Sequence, residues 1–166
     1  MDTPTLSRQV QDAAAQSEAI ALVYLFGSRA ERLAGTGTLG PMSDYDFGVW
    51  LNHGSDGQAV LSAFAHRMAV QLRTDRIDVV HLNEAPIELA YAIIARGALL
   101  MRRDLATQVE AEAYILGRYG DYLPILRAQR RDILKGDDYE KRVRRYREAL
   151  GRTRRTLSEI ASANGC

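Results

Sequence analysis

The chain has 166 residues, 46% of them hydrophobic, and carries 22 Lys+Arg against 21 Asp+Glu for a net charge of +1. That is apolar material for one domain with a core, with or without an appendage, and the balance excludes both a disordered polyelectrolyte and a uniformly basic nucleic-acid coat. The lone thiol, Cys166, excludes an intrachain disulfide and a cysteine metal cluster.

The first eight residues lack the basic-then-apolar order of a secretory signal, and no window approaches the roughly 18 apolar residues of a membrane span. A cytoplasmic protein without membrane contact is expected. Charge is unevenly placed: residues 127–155 hold 12 Lys/Arg against 5 Asp/Glu, net +7, which leaves −6 for the remainder. Such a block suits RNA or an acidic partner, although a solvated helix face is the commoner reading.

In chain order, Asp2 to Ser17 is expected to be helical, with Pro4 near its start and Leu6, Val10 and Ala13–Ala15 at compatible spacing. The unbroken apolar run Ile20–Phe26, stopped by Gly27-Ser28, reads as a strand buried on both faces. Ser28 to Leu33 favours helix, and Ala34 to Met42 is a breaker-rich loop. In the strand expected over Ser43–Leu51, alternation puts Tyr45, Phe47, Val49 and Leu51 on one face. Asp44, Asp46, Gly48 and Trp50 take the other, so both carboxylates point the same way.

Gln58 to Arg73 reads as an amphipathic helix, and Arg76–Leu82 as a strand. A helix capped by Asn83 or Glu84 follows, with Pro86 in its first turn and Gly97 as its stop. Ala98–Met101 is expected to be a short edge strand. Leu105 to Lys135 is helical in pattern, with breaks or kinks expected at Gly117, Gly120 and Pro124 and Asp121 capping a restart. After Gly136, Tyr139, Val143, Tyr146, Leu150, Thr153, Leu157 and Ile160 form a heptad-like seam that needs a covering helix from this chain, a second copy or a partner.

Three features carry chemistry in combination: Gly27-Ser28 leaving a buried strand, Asp44-x-Asp46 on one strand face, and Asp78 on a later strand. Alone, each is commonly a turn, the wet side of a strand or a salt-bridge partner. Three converging carboxylates repel one another unless cations neutralise them, and hard oxygen ligands select Mg²⁺ together with substrate phosphates. A metal pair activates an attacking oxygen and stabilises leaving pyrophosphate. A glycine admits a triphosphate close to the backbone, and Ser28 adds a hydroxyl and an N–H at a helix start. The combination points to nucleotidyl transfer.

Gly27-Ser28-Arg29-Ala30 with Ser43-Asp44-Tyr45-Asp46-Phe47 resembles the Gly-Ser…Asp-x-Asp signature of the DNA polymerase beta-like nucleotidyltransferase superfamily. Within it, the chain is most similar to the minimal nucleotidyltransferases, the MntA-type antitoxins paired with HEPN ribonuclease toxins. Ile77–Pro86 resembles their third-carboxylate strand and Ala95–Asp104 their next segment, so the likeness covers roughly residues 15–135.

The resemblance implies an α+β fold, a small mixed sheet flanked by helices, over residues 1–135, with a C-terminal helical extension over 136–166. It implies that Asp44, Asp46 and Asp78 ligate Mg²⁺, with Asp78 also activating the acceptor hydroxyl. Gly27, Ser28 and Arg29 would hold the triphosphate. The implied donor is ATP and the acceptor a tyrosine hydroxyl of a cognate HEPN toxin, which AMP then blocks. The stretch between Ser28 and Asp44 is longer than in minimal members, with extra length in Thr36–Met42, and the tail after Gly136 also exceeds their core.

His53, His66 and His81 are too dispersed for a zinc motif, and His81, the nearest to the proposed site, reads as a strand-end histidine. Trp50 and Tyr45 are able to stack on adenine, yet strand aromatics usually pack. Ser28 lacks a hydrolase triad, and Gly35-Thr36-Gly37 lacks the Lys of a P-loop. The basic helix reads as intrachain packing, toxin contact or homo-oligomer contact, with direct nucleic-acid binding least favoured because stacking aromatics are sparse. Two rival functions stand beside the antitoxin adenylyltransferase: a non-catalytic antitoxin that masks its toxin, and a small-molecule enzyme of the aminoglycoside type.

Overall fold

The structure, a computed structural model, describes residues 3–37, 43–52 and 56–135. Its elements run α1 (Thr3–Ala14), β1 (Ile20–Phe26), α2 (Gly27–Leu33), β2 (Tyr45–Leu51), α3 (Gly57–Leu72), β3 (Ile77–His81), α4 (Ile87–Arg96), β4 (Ala98–Arg102) and α5 (Leu105–Lys135). The strands form one sheet of order β3-β2-β1-β4. β1 pairs antiparallel with β2 and β4, whereas β2 and β3 pair in parallel, as the long α3 crossover requires. The α+β class and the small mixed sheet are as expected, and β4 lies at the sheet edge as its short apolar run suggested.

The sheet is covered on both faces, which explains the unbroken apolar sequence of β1. On one face Val23, Leu25, Phe47, Val49 and Leu51 meet Leu6 and Val10 of α1 and Leu61, Phe64 and Met68 of α3. Phe47 and Phe64 pack edge to face, with ring centroids 5.8 Å apart. On the other face Ala21, Leu22 and Tyr24 meet Ala90 and Ile93 of α4 and Ala111 and Ile115 of α5. The alternation of 23 and 25 against 22 and 24 is the two-residue strand period made physical.

Three local expectations change. The helix after β3 begins at Ile87 with Pro86 at the N-cap, not at Asn83 or Glu84. Asn83 instead clamps β2 end-on: its Nδ2 donates to the Leu51 carbonyl at 3.0 Å and its Oδ1 accepts from the Leu51 N–H at 2.9 Å. A side chain that satisfies both groups of a strand end supplies what a further ladder partner would, so it is drawn away from capping. Second, β2 begins at Tyr45, which leaves Asp44 outside the ladder. Third, α5 is assigned as helix from Leu105 through Lys135 with Pro124 inside it, rather than ending and restarting. Gly and Pro each lower helix propensity, but Leu116, Arg118 and Leu123 beside them are good helix formers.

α5 is started by Asp104, whose carboxylate accepts from the Thr107 N–H at 2.8 Å and the Thr107 hydroxyl at 2.7 Å. Those bonds hold the Asp104 carboxyl below its ordinary value. The chain divides into two compact units, residues 1–121 and 122–166, and only the α5 portion of the second is described. The expected seam after Gly136 and positions 38–42 of the added Thr36–Met42 stretch lie outside the described residues. Among the described residues no helix is long and apolar enough to cross a membrane.

Candidate active site

The parallel register sets Asp46 of β2 directly beside Asp78 of β3. Both therefore project from the same face of the sheet, at neighbouring strands. On its other side Asp46 pairs with Phe26, the last residue of β1, and the chain turns there into Gly27. Gly27 has φ +68°, and a Cβ added to it would strike the Asp46 carboxylate at Oδ2. The glycine is thus needed twice, for a left-handed backbone and for the room that Asp46 occupies. Ser28 follows in the first turn of α2, an end that no side chain caps.

Asp44 stands two residues before Asp46, exposed. Burial, then the charge of Asp78, then that of Asp44, push the Asp46 carboxyl above its ordinary value, while Arg29 pulls it back. The three carboxylates thus share one field. Among the described residues, however, no three acidic or imidazole side chains are gathered closely enough to hold a metal ion as they stand. The donor set still fits a hard divalent cation: all three groups are oxygen donors, and the central one carries the strain of mutual repulsion that a cation relieves.

Arg29 lies over the Tyr45 ring, its guanidinium carbon 3.5 Å from the ring centroid. Its Nε donates to the Asp44 carbonyl at 2.9 Å and to the Ser43 carbonyl at 3.2 Å, and its Nη2 donates to the Ser43 carbonyl at 2.7 Å. The sequence pattern does not reveal this use of Tyr45, which alternation puts on the sheet face opposite Asp46; an Arg and a Tyr sixteen positions apart leave no local signal.

Two other sequence candidates fall outside the group. His81 is on the opposite face of β3 from Asp78 and pairs with Glu84 at 3.3 Å. Trp50 shares the face of Asp46 but sits four residues along β2, about 13 Å at the strand rise, where it meets the Tyr114 ring edge-on at 6.0 Å. Between them Ile93 of α4 presses on Gly48. Trp50 and Tyr114 help line a separate cavity of about 420 Å³ with Glu110 and Thr107.

A mixed sheet of this order, with two abutting carboxylates beside a Gly-Ser turn, defines the polymerase-beta-like class of nucleotidyltransferase fold. The chain belongs to the family described as Polymerase beta, Nucleotidyltransferase, whose model matches residues 8–106. Three solved structures share its fold. A chain of a toxin–antitoxin complex with AMP-PNP is 21% identical at TM-score 0.60, covering 81% of this chain and 99% of that one. A chain from the complex of tri-AMPylated Shewanella oneidensis HEPN toxin with MNT antitoxin is 18% identical at TM-score 0.60, covering 80% and 98%. A chain of the toxin–antitoxin MntA–HepT is 20% identical at TM-score 0.55, covering 80% and 96%. No curated protein matches the sequence.

Proposed function

We propose that this protein is an antitoxin adenylyltransferase that moves AMP from ATP to a tyrosine hydroxyl of a cognate HEPN toxin and so neutralises it. The observation that carries the reading is the lateral pairing of Asp46 with Asp78 beside Gly27. Family membership supports nucleotidyl transfer, and the structures of like fold, one with AMP-PNP and one with a tri-AMPylated HEPN toxin, support the donor and the acceptor.

In this reading Gly27 and Ser28 hold the triphosphate, where the open first turn of α2 offers N–H groups to anionic oxygens. The tyrosine oxygen bonds to the α-phosphorus as the bond to the β-phosphate breaks; pyrophosphate leaves and the phenolic proton passes to Asp78. Asp44, Asp46 and Asp78 are the residues that would hold Mg²⁺, which when bound supplies neutralisation of the phosphate charge. The resemblance also assigns Arg29 to the triphosphate; in the structure its guanidinium bonds the Ser43 and Asp44 carbonyls.

The test is to incubate protein, toxin, ATP and Mg²⁺ and weigh the toxin by mass spectrometry. A mass increase of whole AMP units on the toxin is expected, and an unchanged toxin mass would sink the reading. Asp44→Ala with Asp46→Ala should slow transfer by about a thousandfold, the scale of losing several kcal/mol of charge stabilisation. Retained neutralisation of the toxin by that double variant would instead favour masking without chemistry.

A further inference from the structure

We infer that Arg29 is a positioning residue that fixes Asp44 in the cation-binding set, rather than a ligand of the triphosphate. The inference rests on the site reading above and refines it. Asp46 and Asp78 are placed by the sheet, since each is a member of the β2–β3 ladder. Asp44 has no such support. It precedes the first ladder pair, Tyr45 with Ile77, and ends an eleven-residue connection from α2, numbered 34–44.

Arg29 reaches that connection from α2. Its guanidinium bonds the carbonyls of Ser43 and Asp44 through Nε and Nη2, so two of its three nitrogens already have acceptors. The Tyr45 ring, 3.5 Å from the guanidinium carbon, supports it from one side. A planar donor held by two successive carbonyls and an aromatic face sets the backbone torsions that aim the Asp44 side chain. Tyr45 in turn is tied to β3, its N–H donating to the Arg76 carbonyl at 3.0 Å. The clamp thus joins the phosphate-side turn, the exposed Asp44 and the paired strands into one corner.

A guanidinium serving the triphosphate and one serving Asp44 respond differently to replacement by lysine. Arg29→Lys keeps the positive charge but loses both the fork and the flat face. The experiment titrates Mn²⁺ into the full chain without nucleotide, with free Mn²⁺ read by electron paramagnetic resonance. In parallel, trinitrophenyl-ATP is titrated in EDTA, where metal plays no part. Arg29→Lys is expected to weaken Mn²⁺ binding about tenfold, as loss of an orienting contact does at metal sites, and to leave metal-free nucleotide affinity within about twofold. Asp44→Asn should weaken Mn²⁺ similarly, and the double variant should be no worse than Asp44→Asn alone, because the two residues act through one ligand. Tyr45→Leu, which keeps the arginine and removes its platform, should move Mn²⁺ affinity in the same direction and serves if Arg29→Lys does not fold.

Unchanged Mn²⁺ affinity in Arg29→Lys, additive losses in the double variant, or a tenfold loss of metal-free nucleotide affinity would each overturn the inference. Failure of the underlying reading looks different: wild type and Asp46→Asn would then bind Mn²⁺ alike, and the clamp would fall with the site it was meant to serve.

Discussion

Gly27 shows how much a single position decides. Its φ of +68° is a conformation that costs an L-residue about 1–2 kcal/mol, and its missing Cβ leaves the space taken by the Asp46 carboxylate. Gly27→Ala is therefore expected to destabilise by about 1–2 kcal/mol in thermal unfolding. It should also slow transfer about a hundredfold, because a displacement near 1 Å at a reacting group costs roughly that much. A loss of stability with no loss of rate would show that Asp46 is not where the chemistry happens. The value of Gly-Ser at the end of β1 was legible in the sequence as a turn. The collision that excludes a side chain there was not, because it depends on Asp46, nineteen positions away.

At the scale of elements, the close seating of α4 on the sheet rests on Gly48. A Cβ at that position would lie 2.8 Å from Ile93 Cγ2 and 3.3 Å from Leu82 Cδ2, both buried. Gly48→Ala should cost about 1–3 kcal/mol by overpacking, and Gly48→Ala with Ile93→Val should recover part of that loss in a denaturant titration. No recovery would mean that α4 is positioned by other contacts. The companion helix α5 is held by polar as well as apolar groups: the Tyr24 hydroxyl donates to Glu112 at 2.6 Å and Gln108 donates to the same oxygen at 2.8 Å. Burial and the Glu112 carboxylate together push the Tyr24 phenol well above its ordinary range, so it stays a donor throughout the accessible pH range. Element types and order were readable from apolar periodicity and punctuation, since those depend on neighbours three or four residues away. Asn83 has the residue type and place of a cap, yet its bonds run to Leu51, a strand end distant in sequence.

For the whole molecule, charge links the site to stability. Asp46 has a raised carboxyl, so the stability it withholds on ionising is fully available below the unfolded value near 3.8 and is lost as pH rises through the folded value. Asp104 has a lowered carboxyl, so its contribution stands above 3.8 and is lost as pH falls through its folded value. In EDTA, Asp46→Asn should thus melt at the same temperature as wild type at acid pH and slightly above it near neutrality, the difference being small because the site is partly solvated. Saturating Mg²⁺ should reverse the order by stabilising only the wild type. If Asp46→Asn is the less stable protein in EDTA at neutral pH, burial and the neighbouring carboxylates do not disfavour the ionised Asp46 as described.

The sequence by itself determined which segments are strands and helices, that β1 is buried on both faces, and that Asp44 and Asp46 have the same parity two residues apart, because these are properties of local spacing. It also carried the family likeness, through an ordered set of short motifs that needs no coordinates. Only the tertiary structure decided that Asp78 stands beside Asp46, since parallel register is set by the α3 crossover and the packing of two faces. Likewise it alone decided that Arg29 spends its guanidinium on the carbonyls of Ser43 and Asp44, that Trp50 packs on Tyr114 four residues along the strand, and that His81 faces the other side. Those contacts join residues far apart in the chain, and no local pattern encodes a partner that folding alone brings near.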